Sequence, residues 1–417
     1  MPQAPKILIV TGELSGDMHA AHLVMQLKKL IPDARFYALG SDNLRAVGAE
    51  ILIDTLTWGS IGIFEGLKRA PRIMRAWKYL RNNIIVEQYD LIIPVDYRVL
   101  NLKVLNLCRE LGIPSAYYMA PVVWPVKKQG ALLFGLDGLL RKLAGGSARE
   151  KKNRYSEIAE LADLVLVPFP FALEGYRKAG ANHRFTGHPL SSLIKLKKTP
   201  LQVRVEQGVP ARAKIVGLYP ASRTHEIRHH LPTVLKAAKK IIQSGRRAWF
   251  YLSCASPQYR DAFWGELKKQ GLEGQVKLVE GNDWDLMNAA DLVVTKTGTI
   301  CHEATFLKKP MVCFYTLHGA VLEWILKTFV IDFPFVAFPN VIAGREVVPE
   351  LIQQRFSTEN LVLEIEALLD DDERQQNMVE GLGEVRDACG VEHSVLKSAE
   401  AIAGLLDERN TDGSSVG

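Results

Sequence analysis

Short apolar runs alternate with segments of helical periodicity through the first half of the chain. The apolar runs predict buried β-strands at residues 6–11, 35–39, 91–95, 115–119 and 164–168. Apolar residues spaced three and four apart predict helices at 18–30 and 100–111. Because strands that alternate with helices are typical of a parallel sheet with helices on both faces, this half predicts a doubly wound α/β domain.

The same alternation restarts near residue 212. It predicts strands at 214–219, 249–254, 276–279, 292–295 and 311–315. It predicts helices at 231–244, 256–270, 300–307, 359–369, 373–388 and 393–406. We therefore predict domains at 1–195 and 212–390, separated by the polar segment 196–212.

The segment 391–417 is expected to pack back on the first domain, with residues 410–417 disordered. In open parallel sheets, ligands bind beyond the carboxyl ends of the strands. Two such domains in tandem predict a substrate site in a cleft where those ends face each other.

Composition excludes a disordered chain, a collagen and a coiled coil. The chain has 417 residues, 47% hydrophobic and 24% charged, as in ordinary globular domains. No apolar run approaches the roughly 18 residues that span a bilayer. The run at residues 7–10 is too short for a signal peptide, so we interpret the chain as cytoplasmic. The five cysteines form no C-x-x-C pair, so neither a metal site nor a disulfide framework is expected.

Basic charge is concentrated in two segments. Residues 61–81 hold six Lys or Arg and one acidic residue, and residues 127–154 hold eight and two, whereas the whole chain has a net charge of +6. Both segments also carry apolar residues, which include Ile63, Phe64, Leu67, Leu132, Leu133 and Phe134. Local basic charge indicates a polyanionic partner, and its apolar neighbours favour an anionic membrane surface. Nucleic acid is not expected, because aromatic and basic residues do not alternate as in a base-stacking platform. The alternative is that the apolar residues belong to the core.

The loop Gly12–Asp17 separates the first strand from the first helix. A helix N-terminus binds anions through its unpaired N–H groups. Two acidic residues in the loop argue against a simple phosphate cradle and favour sugar hydroxyls or a polar network. The candidate contacts are Glu13, Ser15, Gly16 and Asp17. The alternative is a capping turn with Asp17 near the helix N-cap.

Asp96 follows the strand at 91–95, at the sheet edge where functional groups are displayed. A carboxylate there can act as a general base for an attacking hydroxyl. The alternative is that Asp96 caps the helix at 100–111. His19 and His22 are other candidate bases, although a histidine on a helix is more often structural.

Two strand ends of the second domain carry groups that suit a nucleotide. Ser222 can donate a hydrogen bond to a pyrophosphate, and Arg223 can form charge-assisted bonds to it. Glu303 lies one turn into a helix and fits a ribose diol. That helix begins with Thr297, Gly298 and Thr299, whose hydroxyl and N–H groups fit phosphate. The alternative is two capped helices with Glu303 as a solvated charge.

The sequence resembles the lipid-A-disaccharide synthase family in a series of motifs that occur in family order over nearly the whole chain. The motifs are Val10–Asp17, Ile61–Glu65, Tyr118–Trp124, Phe185–Pro189, Pro220–Arg223, Thr297–Thr299 with Glu303, and Phe338–Glu346. The Gly-Glu-x-Ser-Gly-Asp and Pro-Asn-x-x-Ala-Gly-Arg-Glu runs are the most specific of these.

The resemblance implies an inverting glycosyltransferase of GT-B type, with two facing Rossmann-like domains and C-terminal helices. It implies transfer of 2,3-diacylglucosamine from UDP-2,3-diacylglucosamine to 2,3-diacylglucosamine-1-phosphate (lipid X). The products are a β-1,6-linked disaccharide and UDP, in lipid A and lipopolysaccharide biosynthesis at the cytoplasmic face of the inner membrane.

The resemblance also assigns residues. Asp96 would be the essential aspartate and Arg223 would meet the phosphates of the nucleotide. The remaining candidates for substrate binding are Thr299, Glu303, Asn340, Arg345 and Glu346, with Gly298 allowing close backbone approach. We expect neither a cofactor nor a metal, because the chain has no D-x-D motif in a plausible site.

Two other functions stay open. The family usually continues after its aspartate with Ala-Pro-Asp-Phe-Asn, where this chain has Tyr97–Asn101. The changed loop supports transfer to a different lipid acceptor. A non-catalytic UDP-sugar- or lipid-binding protein is the other alternative, against which Asp96, Arg223 and Glu303 argue. The sequence leaves the oligomeric state open, a homodimer included.

Overall fold

The computed structural model describes residues 4–12, 14–55, 63–121, 154–210, 212–221, 224–254, 256–281, 283–316 and 335–413. These residues form two compact units. The first contains the described residues of Met1–Val123, Arg149–Ser192 and Cys389–Gly417, and the second contains those of Leu193–Ala388.

The first unit is built on parallel strands. They are β1 (Lys6–Val10), β2 (Arg35–Gly40), β3 (Glu50–Asp54), β4 (Leu91–Pro94), β5 (Ala116–Tyr117), β6 (Leu164–Val167) and β7 (His183–Phe185). Two sheets of order β3-β2-β1-β4 and β5-β6-β7 are joined by parallel bridges from Ile92 to Ser115 and from Val95 to Tyr118. The strand order is therefore 3-2-1-4-5-6-7, and it reverses between β1 and β4.

Helices cover both faces of this sheet. They are α1 (Leu14–Leu30), α2 (Asp42–Ala46), α3 (Ile63–Glu87), α4 (Arg98–Leu111), α5 (Arg154–Ala159), α6 (Pro170–Lys178) and α7 (Leu190–Leu193). Ile7 and Ile9 of β1 enter one core, whereas Leu8 and Val10 enter the core on the opposite face. A strand with both faces buried reads as a continuous apolar run, which is why its sequence pattern was clear.

The second unit repeats this design. Its strands are β8 (Lys214–Tyr219), β9 (Ala248–Cys254), β10 (Val276–Glu280), β11 (Leu292–Lys296), β12 (Met311–Tyr315) and β13 (Glu350–Ile352), all parallel in the order β10-β9-β8-β11-β12-β13. Its order reverses between β8 and β11.

The helices that follow in the chain complete the fold. They are α8 (Pro200–Glu206), α9 (Thr224–Gln243), α10 (Arg260–Gln270), α11 (Trp284–Ala289), α12 (Thr299–Phe306), α13 (Phe338–Ala343), α14 (Thr358–Asp370), α15 (Asp372–Cys389) and α16 (Ser394–Gly413). The last of them, α16, returns to the first unit and packs against α1 through Ala399, Ile402 and Leu406.

Gly187 allows the first unit to pack closely against the chain that leads into α16. Its φ of 75° is in the left-handed region, and a Cβ on it would lie 2.7 Å from the Val391 side chain. The next residue, His188, donates its N–H to the carbonyl of Cys389. The Phe185–Pro189 motif therefore docks the C-terminal segment onto the first unit.

The predicted α/β class is confirmed, and each predicted strand is present. Four helix boundaries were wrong. α10 begins at Arg260 rather than at residue 256, after a 3₁₀ turn at Pro257–Tyr259. α1 begins at Leu14, inside the predicted loop, and α9 begins at Thr224, two turns before Pro232. α16 continues to Gly413, so the expected disorder is wrong for residues 410–413. Residues 414–417 lie outside the described part of the chain.

Candidate active site

Each unit has one point where its strand order reverses, and polar groups follow the strands there. In doubly wound sheets, the loops beyond the carboxyl ends of these strands form the ligand site. The loops of interest follow β1 and β4 in the first unit and β8 and β11 in the second. Asp96 follows β4, and Thr297 follows β11.

The backbone of Asp96 is held in an uncommon conformation. Asp96 is exposed and has a φ of 50°, in the left-handed region that few non-glycine residues adopt. Its N–H donates to the carbonyl of Tyr118, and its own carbonyl accepts from the Tyr117 hydroxyl at 2.6 Å and from the Asn101 amide at 3.3 Å. Three neighbouring residues thus fix a strained conformation, which is the behaviour expected of a functional position.

The alternative that Asp96 caps the next helix is wrong. The N-cap of α4 is Tyr97, so Asp96 precedes that position. The Tyr97 ring lies against Gly12, where a Cβ would be 2.2 Å from the ring. Only glycine leaves room for this contact, which brings the loop after β1 to the loop after β4.

Asp17 has a structural role in this unit. It lies in the first turn of α1 rather than at the N-cap, and its side chain is fully buried. Its carboxylate accepts hydrogen bonds from the N–H groups of Ser41 and Asn43 and from both of their side chains. Asp17 therefore anchors the start of α2.

The other candidates near α1 are Glu13, Ser15, Gly16, His19 and His22. Ser15 is half-buried and Gly16 is buried in the first turn. His22 bonds the carbonyl of Met18 through Nδ1, and His19 lies edge-on to His188, as structural histidines do. Glu13 lies outside the described residues.

In the second unit, Thr297 and Gly298 lie between β11 and α12, and Thr299 is the first residue of α12, so the turn leads into a helix as predicted. All three residues are half-buried. The N–H of Thr297 donates to the carbonyl of Phe314, so the turn is tied to β12. Gly298 occupies the N-cap of α12. Ser222 and Arg223 lie outside the described residues, so the position of their side chains stays a prediction.

Glu303 is buried on α12, so the alternative of a solvated charge is wrong. Its Oε2 accepts a hydrogen bond of 3.0 Å from the indole N–H of Trp284. Burial raises the pKa of Glu303 to about 7, and the Trp284 bond opposes this rise. At neutral pH the carboxyl group is therefore about half ionised, and an additional hydrogen-bond donor would favour its ionised form.

Glu303 predicts a measurable pH dependence of stability. An acid whose pKa rises from 4.5 to about 7 on folding stabilises the folded state fully below pH 4.5, and this stabilisation is lost as the pH rises through 7. The loss amounts to roughly 3 kcal/mol. Denaturant unfolding of the parent and of Glu303→Gln at pH 5 and pH 8 should show the parent losing about 2.5 kcal/mol relative to the variant, because part of the loss already occurs below pH 5. Other titrating groups are common to both proteins and cancel; a constant difference would contradict the prediction.

The side-chain amide of Asn340 is bound by groups of the protein itself. It is fully buried on α13; its Oδ1 accepts from the N–H groups of Val347 and Val348, and its Nδ2 donates to the Val348 carbonyl and to Glu350. Arg345 and Glu346 lie in the loop that these bonds hold. Both are exposed, and Arg345 pairs with Glu384.

Sequence reasoning missed two polar contacts beside β8 and β11. Lys296 and Glu226 form an ion pair, and His230 bonds the carbonyl of Pro220 and the hydroxyl of Thr316. Burial lowers the pKa of His230 to about 4, so the ring is neutral at neutral pH. The available signal was position: Lys296 directly precedes the Thr-Gly-Thr turn, and Glu226 follows Arg223 by three residues.

Helix α3 carries most of the basic segment 61–81, and only some of its described apolar residues belong to the core. Ala76, Leu80 and Ile84 face the core, whereas Met74 is 66% exposed. Trp77 is half-buried. Ile63, Phe64 and Leu67 are described only as helical backbone, and the predicted patch residues Leu132, Leu133 and Phe134 lie outside the described part of the chain.

Within the described ranges, no helix is both long and apolar enough to cross a bilayer. No group of three or more His, Cys, Asp or Glu side chains there is arranged to hold a metal ion.

Solved structures define the class of this fold. UDP-GlcNAc 2-epimerase from Neisseria meningitidis, solved bound to UDP-GlcNAc, aligns with a TM-score of 0.61 at 14% identity, over 97% of this chain and 100% of its own. A glycotransferase of kitacinnamycin aligns with a TM-score of 0.61 at 17% identity, with the same coverage. The fold is therefore of the GT-B type, shared by glycosyltransferases and epimerases.

Sequence comparison is more specific. The family model for lipid-A-disaccharide synthetase matches residues 7–133 and 150–403. A lipid-A-disaccharide synthase from Nitrosococcus oceani is 32% identical over 375 residues, which cover 90% of each chain. The chain belongs to the lipid-A-disaccharide synthase family and is a glycosyltransferase.

Proposed function

We propose that this protein transfers 2,3-diacylglucosamine from UDP-2,3-diacylglucosamine to lipid X and releases UDP. Family membership supports the reaction. One observation supports assigning this reaction to particular residues. Asp96 is an exposed carboxylate, and its backbone is held at a φ of 50° where the strand order of the first sheet reverses.

In this proposal Asp96 is the general base. It accepts the proton of the acceptor 6-hydroxyl as that oxygen bonds to the anomeric carbon of the donor. The bond from that carbon to the diphosphate breaks, and UDP leaves with the electron pair. Attack opposite the leaving group inverts the anomeric centre, which gives the β linkage.

The second unit is proposed to bind the donor nucleotide. The turn Thr297–Thr299 presents the N-terminus of α12, which suits phosphate. Arg223 would add a charge-assisted contact. Glu303 would accept from the ribose hydroxyls, since a buried carboxyl group needs donors when it ionises.

The test is a transfer assay with purified protein, UDP-2,3-diacylglucosamine and lipid X. The expected result is one UDP and one disaccharide monophosphate per turnover, with neither formed when lipid X is omitted. Disaccharide formed only with another lipid acceptor would support the alternative that the changed loop after Asp96 indicates. Binding of UDP without any turnover would support a non-catalytic protein.

We also propose that the protein works as a peripheral protein at the inner membrane, because both substrates carry acyl chains. The support is α3, where exposed Met74 and Tyr79 lie among exposed Arg75, Lys78 and Arg81. Basic residues near an anionic surface contribute about 1 kcal/mol each, and exposed apolar side chains can insert.

Vesicle binding tests this surface. Met74→Glu should weaken binding to anionic vesicles several-fold, and binding of the parent should weaken as salt screens the charges. The control is Leu363→Glu, because Leu363 is 64% exposed, close to the 66% of Met74, but lies on α14 of the second unit. Equal binding by both variants in sedimentation assays would contradict the proposed surface.

A further inference from the structure

An ion pair lies where the strand order of the second sheet reverses. Lys296 is the last residue of β11, Glu226 lies in the first turn of α9, and the ammonium and Oε1 are 2.5 Å apart. Their side chains are only 11% and 3% exposed. Because charges are costly to bury even when paired, an ion pair here calls for an explanation beyond stability.

The lysine side chain also reaches the turn that begins α12. A Cβ built on Gly298 would lie 3.5 Å from Cε and 4.0 Å from Nζ of Lys296. The ammonium therefore lies close to the first turns of both α9 and α12. These turns follow β8 and β11, on the two sides of the reversal, where doubly wound sheets bind nucleotide phosphates.

We propose that Lys296 binds the diphosphate of the donor nucleotide, and that Glu226 holds the ammonium in place when no nucleotide is bound. The inference rests on the proposed function and specifies how its donor site recognises charge. A diphosphate offers several oxygens and more negative charge than one carboxylate, so the ammonium gains by exchanging partners. Glu226 keeps a favourable position at the positive end of the α9 dipole after the exchange.

A purely structural role would use the same pair to fasten α9 to β11. The two roles predict different effects of the lysine on the affinities for UDP and for uridine. A diphosphate-binding lysine contributes to UDP affinity but not to uridine affinity, because uridine has no phosphate. A structural clip affects both ligands alike, through the position of α9 and α12.

The experiment compares Glu226→Gln with the double variant Glu226→Gln/Lys296→Met. They differ only in the cation, and neither leaves a buried carboxylate without its lysine. UDP and uridine affinities are measured by calorimetry at fixed ionic strength, and thermal unfolding checks that each variant is folded. A third protein, Glu226→Gln/Lys296→Arg, restores a cation.

Glu226→Gln should bind UDP at least as tightly as the parent. The double variant with Met should bind UDP about tenfold or more weakly than Glu226→Gln, with uridine affinity within about twofold, and the Arg variant should recover most of the loss. UDP binding within twofold of Glu226→Gln, or an equal loss for both ligands, would overturn the role of Lys296 while leaving the proposed function standing. A parent protein that binds no UDP would overturn the proposed donor itself.

Discussion

Asp96→Asn is expected to lower the rate of disaccharide formation by about 10²–10⁴-fold, the usual contribution of a general base. The amide keeps the size and polarity of the side chain but cannot accept the proton of the acceptor hydroxyl. The backbone should not change, because asparagine, like aspartate, tolerates the left-handed region in which Asp96 lies. Single-turnover product formation gives the rate, and calorimetry should show unchanged UDP affinity.

Asp54→Asn is the matched control, because Asp54 ends β3 at the same edge of the first sheet and pairs with Arg45 on the surface. Transfer by this variant should stay within about twofold of the parent, since exposed ion pairs contribute little. If Asp96→Asn also stayed within about threefold, the base would have to be sought at Glu13 or His19. Asp17 would not qualify, because four donors already occupy its buried carboxylate.

The parallel sheets could be predicted because their central strands are buried on both faces. The run at Ile7–Val10 has no exposed side chain, so nothing polar interrupts its pattern. β3 was missed because it is an edge strand that begins with Glu50 and ends with Asp54, and β7 and β13 are only three residues long. Short or half-solvated strands carry too little apolar pattern to stand out.

Helix starts were predicted less well where tertiary contacts decide them. Gly16 and Asp17 read as a loop, yet α1 already includes them, because the Asp17 carboxylate satisfies donors of Ser41 and Asn43 far along the chain. Pro232 similarly favours a helix that begins close to it, as in the predicted helix at 231–244. The two turns before it are helical because Ile227 and His230 are buried on α9.

The sequence located the loops of the candidate site but not the partners of their residues. Residue type and position after a strand suffice to choose Asp96 and Thr297–Thr299. The contacts of Glu303 with Trp284, and of Lys296 with Glu226, join residues 19 and 70 positions apart. No local spacing encodes such contacts, so burial and its effect on the Glu303 pKa could come only from the structure.

The family resemblance implies that Asn340 lies beside the nucleotide, whereas in the structure its side-chain amide is buried and bonded within the protein. Asn340→Ala should therefore destabilise the protein strongly. The substitution leaves four buried partners without the amide: the N–H groups of Val347 and Val348, the Val348 carbonyl and Glu350. Each buried group left without a partner costs about 1–3 kcal/mol, so the loss should exceed about 3 kcal/mol. In a unit of this size that lowers the unfolding temperature by roughly 6–12 °C.

The control lies in the same motif. Arg345→Ala removes only the surface pair with Glu384, which should cost less than about 1 kcal/mol. Calorimetric unfolding of both variants, with and without UDP, distinguishes the two roles of Asn340. If Asn340→Ala unfolds at the parent's temperature but loses the stabilisation that UDP gives, Asn340 contacts the nucleotide, as the resemblance implies. If instead it unfolds well below Arg345→Ala without UDP, the buried amide holds the loop that carries Arg345 and Glu346, because only a structural role changes the stability of the empty protein.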